Sequence, residues 1–79
     1  MKIGSIIQND DMVLTVVAYH ETEKGNIALL VREEETCHYL TVRDLSHEKN
    51  GNYHWYYGHY ANNFEAAARD YFERKTALL

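Results

Sequence analysis

Proline is absent from this chain, glycine occurs four times and cysteine once, as Cys37. With no proline, no position in an extended segment is barred from a sheet ladder for lack of an N–H, and turns fall to Gly, Asn and Asp. A lone cysteine excludes an internal disulfide. With no Asn-x-Ser/Thr site and no apolar N-terminal run, it points to a reducing, cytoplasmic setting. No stretch approaches the roughly 20 apolar residues of a membrane-crossing helix. Cations are also scarce, eight Lys and Arg against twelve Asp and Glu, for a net charge of −4. Nucleic-acid binders need Lys and Arg to displace counterions from phosphates, so that class is disfavoured.

What the chain does have is length for one domain, residues 1–79. A domain of this size buries only about 60–65% of its unfolded surface, so its core is small. Residues 12–20, MVLTVVAYH, and 26–33, NIALLVRE, are rich in β-branched and aliphatic side chains and flank a polar turn ending in Gly25, which predicts a hairpin. A short first strand falls in residues 1–8, before the turn at Asn9, Asp10 and Asp11. Residues 33–36 read as a charged, solvated turn, 37–45 as a strand and 46–52 as a turn centred on Asn50-Gly51. Residues 53–60, YHWYYGHY, form the last strand.

A helix follows, with Asn62 expected as its N-cap and Glu65 at the capping-box position. Phe64, Ala67, Ala68, Tyr71, Phe72 and Lys75 recur at helical spacing, and Glu65–Arg69 and Asp70–Arg74 form i,i+4 pairs. The fold class is therefore α+β: an antiparallel meander of four to five strands with one C-terminal helix packed on one face.

Register can be argued across the Asn50-Gly51 turn. If Leu45 lies opposite Tyr53, then Arg43 faces Trp55, Thr41 faces Tyr57 and Tyr39 faces His59. Leu40, Val42, Tyr56 and Gly58 occupy the other face. That second, more aliphatic set suits the helix, with Gly58 admitting a close approach. Tyr39, Arg43, Tyr53, Trp55, Tyr57 and His59 then form an open aromatic face, Arg43 stacking on Trp55, and constitute the candidate binding residues. Such rings stabilise sheets by about 0.2–1 kcal/mol per cross-strand pair without binding anything, so structural and functional roles both stand.

Catalytic and metal chemistry find little support. The five histidines show no H-x-x-x-H or H-E-x-x-H spacing, and Cys37 next to His38 on a strand diverges from it. Asp44 opposite His54 reads as a structural ion pair. No metal, cofactor or enzymatic activity is expected. The reading is a small non-enzymatic protein-interaction module acting on a foreign partner or on itself as a homodimer. Single-stranded nucleic-acid binding by base stacking on the same face is the alternative.

The LTVV and LLVR strands, the Gly58-His59-Tyr60 strand end, and the following Phe64-Glu65-Ala66-Ala67 and Phe72-Glu73-Arg74 together resemble a group of short, uncharacterised bacterial proteins. Such proteins are found in the genomes and mobile elements of gut Firmicutes. The resemblance supports the architecture and implies no assigned activity; it adds, as a further alternative, an accessory role in a mobile element such as inhibiting a host protein.

Overall fold

A computed structural model describes residues 1–33 and 38–78. Cys37 and the expected charged turn from residue 34 onward lie outside them. Five strands form one antiparallel sheet in sequence order: β1 (Ile6–Asn9), β2 (Met12–Thr22), β3 (Gly25–Arg32), β4 (His38–His47) and β5 (Tyr53–Ala61). A single helix, α1 (Phe64–Ala77), follows. The expected α+β meander with a C-terminal helix is the observed fold.

The sheet is curled. Ile7, Leu14, Val16, Ala28, Leu30, Leu40, Val42 and Leu45 all point to its concave side and pack into one buried cluster, lined further by Met12, Tyr19, Tyr53 and Trp55. Every strand contributes, so burial of this face draws the two edge strands together. They meet where the Asn9 side-chain amide donates to the Tyr53 carbonyl, 2.7 Å away. Each Leu or Val sealed here contributes about 1.5–3 kcal/mol.

On the convex side α1 crosses β3, β4 and β5. Ala67, Tyr71 and Leu78, on one helix stripe, meet Ile27 and Leu29, with Ala18, Tyr39 and Ala61 at the margin. Asn63, one residue after the expected Asn62, is the N-cap, and its side chain accepts from the Ala66 N–H at 2.8 Å. Glu65 therefore falls one position short of a capping box and instead pairs with Arg69 at 3.3 Å.

Three bulges interrupt the ladders. In β2 the register shifts at Val17. Between β4 and β5, Thr41 pairs with His59 but Arg43 with Tyr56, which places an extra residue in β5. A compensating extra residue in β4 restores the pairing by Ser46 and His54. Tyr57 and Asp44, at these two shifts, have left-handed φ of 51° and 55°. Where the ladder breaks at Asp44, the Asn26 side chain takes its place, accepting from the Leu45 N–H at 2.9 Å and donating to the Leu45 carbonyl at 3.1 Å. Gly25 makes room for this turn of chain, because a Cβ there would collide with the Asp44 carboxylate.

The expected faces are overturned. The helix covers the Tyr39, Thr41 and Arg43 side of β4, not the Leu40 and Val42 side, which is sealed in the concave cluster. The physical reason is demand for dry surface. The curled side draws on all five strands and takes the branched aliphatics, whereas α1 offers only two buried residues and its C-cap. Tyr56, Phe64 and Phe72, expected beneath the helix, are exposed.

Candidate functional site

The six residues anticipated as one aromatic face are divided among three environments. Tyr53 and Trp55 line the concave cluster, and Tyr53 stacks on His47 with centroids 4.7 Å apart. Trp55 closes over the space that Gly58 leaves vacant, its Nε1 lying 3.1 Å from where a Cβ would sit. Gly58 thus admits the indole rather than the helix. Arg43 is on the opposite side from Trp55 and pairs with Tyr56, so the expected stacking does not form. One extra residue in β5 is enough to separate Tyr53 and Trp55 from His59, because each single-residue shift inverts every later side chain.

Tyr39, Arg43 and His59 belong to the seam between sheet and helix. Tyr39 meets Phe64 edge-on at 5.7 Å. The His59 Nδ1 lies 3.0 Å from the Asp70 carboxylate, tying β5 to α1. Asp70 is engaged there, and Arg74 donates instead to the Thr41 carbonyl at 2.8 Å. Burial pulls the Arg74 guanidinium below its ordinary value; Asp70 opposes that shift and Arg43 adds to it. Thr41, the one buried polar residue among those described, donates its hydroxyl to the Ala67 carbonyl. These groups satisfy one another, which makes the seam a clasp rather than a ligand pocket.

Asp44 and His54, anticipated as an ion pair, find other partners. Asp44 lies 3.7 Å from Arg43. His54 Nδ1 approaches Glu48 at 2.7 Å, outside hydrogen-bond geometry, while its Nε2 meets Ser46 Oγ at 2.9 Å. Among the described residues no three His, Asp or Glu side chains gather closely enough to hold a metal ion. An open groove of about 280 Å³ lined by Thr22, Glu23, Lys24 and Leu78 brings no chemically poised group together. No described helix is long and apolar enough to cross a membrane.

The sixth residue, Tyr57, is different. It sits at the β5 bulge, 74% exposed, between Tyr56 at 57% and Tyr60 at 66%. All three lie on a strand at the edge of the sheet. The register puts Tyr56 on the Arg43 side of the sheet and Tyr60 on the Leu40 side, and both are exposed at the edge strand; Tyr56 was expected beneath the helix. Both left-handed residues in the β4–β5 ladder sit at bulges, but Asp44 is of a type that tolerates this conformation and Tyr57 is not.

No family model, no curated protein and no solved structure matches the chain.

Proposed function

We propose that the protein is a small non-enzymatic protein-interaction module, and that its contact surface is the outer edge of β5, where Tyr57 stands at the bulge between Tyr56 on one side of the sheet and Tyr60 on the other. Tyr57 carries this reading. A bulge alone would serve to blunt an edge strand against unwanted pairing. Glycine would make that bulge without strain, whereas a bulky residue held left-handed costs about 1–3 kcal/mol. A tyrosine kept there at such a cost, and left largely in water, serves something outside the fold. Tyrosines suit the task, since the ring offers apolar area at low entropic cost and the hydroxyl stays available for hydrogen bonding.

The test separates stability from recognition. Tyr57→Gly relieves the strain, and its thermal midpoint is expected to equal or exceed the wild type's, with a gain of about 1 kcal/mol. In affinity capture followed by binding of the purified candidate, that same variant is expected to lose the partner. A variant that retains full binding, or that is destabilised instead, would refute the assignment. The net charge of −4, and the engagement of Arg74 with the Thr41 carbonyl in the helix seam, weigh against stacked single-stranded nucleic acid.

A further inference from the structure

At the β4–β5 hairpin end, three side chains of complementary chemistry converge. The turn is tighter than expected, with His47 rather than Leu45 opposite Tyr53, so Ser46 instead of Asp44 stands across from His54. The Ser46 hydroxyl lies 2.9 Å from His54 Nε2, and the other ring nitrogen, Nδ1, lies 2.7 Å from a Glu48 carboxylate oxygen. Water does not reach Nδ1. The turn holds Glu48 at both its backbone groups. Its N–H donates to the Asn52 carbonyl at 2.8 Å, and its carbonyl accepts from the Gly51 N–H at 3.2 Å. Tyr56 meets the His54 ring edge-on, with centroids 6.0 Å apart. Ser46 itself is exposed.

These contacts decide the tautomer of the ring. Two lone pairs pressed together at 2.7 Å repel, so the proton sits on Nδ1 beside the carboxylate, although the contact lies off the N–H axis. Nε2 then keeps its lone pair, and the Ser46 hydroxyl donates to it. We infer that Ser46 is a primed nucleophile, a modification site that accepts one acyl group from an activated carboxylic ester. Ser46 Oγ bonds to the ester carbonyl carbon while its proton passes to Nε2. The bond from that carbon to the leaving oxygen then breaks, and the leaving oxygen takes the proton from Nε2. Glu48 stabilises the imidazolium between the two transfers, because a neighbouring negative charge acts without alignment. Nothing else is consumed. The site goes beyond the contact reading and does not depend on Tyr57, since it concerns one covalent uptake per chain and no turnover.

The probe is p-nitrophenyl acetate at about pH 8, above the ordinary imidazole value of about 6.5, with the acetylated position read by peptide mass mapping. Ser46 of the wild type is expected to gain the acetyl group at least ~10-fold faster than Ser46 of His54→Gln, which lacks the general base. Glu48→Gln should also slow the uptake, and Glu48→Asp, which keeps the charge, should recover part of the rate. Ser46 is exposed and the His54 and Glu48 side chains are 40% and 42% exposed, so circular dichroism of each variant should match the wild type. Unfolding in urea should remove the preference for Ser46. Acetylation of Lys49 in place of Ser46, or a Ser46 rate unchanged by His54→Gln and Glu48→Gln, would overturn the inference. So would undiminished release of p-nitrophenol by Ser46→Ala, which would make His54 itself the nucleophile.

Discussion

On the concave side of the sheet, eight side chains from four strands are sealed against one another, and Tyr53 and Trp55 of the fifth strand close the cluster. On the convex side, α1 buries Ala67 and Tyr71 within its length and Leu78 at its cap, while Phe64 and Phe72 remain in water. The first side is a core in the ordinary sense, aliphatic and continuous. The second is half a core, completed by polar clasps: His59 to Asp70, Arg74 to the Thr41 carbonyl and Thr41 to the Ala67 carbonyl. Dry packing on one side sets the curvature, and hydrogen bonds on the other hold a helix whose own apolar surface is thin. The large side chains left exposed on β5, Tyr56, Tyr57 and Tyr60, lie at the edge of the sheet beyond both arrangements.

If that contrast is right, the largest loss comes from the concave cluster. Leu30→Ala, at a fully buried position on the central strand, is expected to cost about 3–5 kcal/mol in chemical denaturation; Phe72→Ala on the helix should stay within about 0.5 kcal/mol. Comparable costs for the two would break the distinction. Asn26→Ala is expected next, at about 1–3 kcal/mol, since it leaves the Leu45 N–H and carbonyl without their partner beside the Asp44 bulge. Asn63→Ala removes the cap and should lower stability by about 1 kcal/mol, read as a drop in thermal midpoint with loss of helical signal.

Alkaline titration compares the two sides with a subtler probe. Burial, assisted by a hydrogen bond to Glu21 and its charge, pushes the Tyr19 phenol up to about 12, and burial alone raises Tyr71 on the helix side. Both folded values lie above the unfolded value of about 10, so the fold favours the neutral phenol. The stability linked to this is fully present below about pH 10 and is lost as pH rises toward 12. Melting temperatures should therefore fall over that window. Tyr19→Phe should flatten the fall more than Tyr71→Phe, and an unchanged slope in both would show that neither phenol reports on its side.

The elements themselves were legible. Aliphatic and β-branched runs between polar turns placed β2, β3 and β4 to within two residues at each described end. The Asn9-Asp10-Asp11 and Asn50-Gly51 signals marked real reversals, and the helix appeared where its spacing put it. Of the candidate residues, Tyr57 is exposed, whereas Tyr53 and Trp55 line the interior; the exposure of Tyr56 was not legible. The alternation along β4 was also readable, since Tyr39, Thr41 and Arg43 do share a side.

The sequence alone therefore determined which segments are strands, which is helix and how they succeed one another, because propensity, periodicity and turn chemistry act over a few neighbouring residues. Only the tertiary structure decided which side of the sheet the helix would cover. That choice depended on the curl of five strands around a shared aliphatic cluster, while two compensating bulges at Asp44 and Tyr57 decided which β5 side chains share each face. A bulge is one residue of extra chain stabilised by distant partners, here the Asn26 amide and the space left by Gly25. It leaves no local pattern, yet it inverts every side chain beyond it, and so it divided Tyr53 and Trp55 from His59 along one strand.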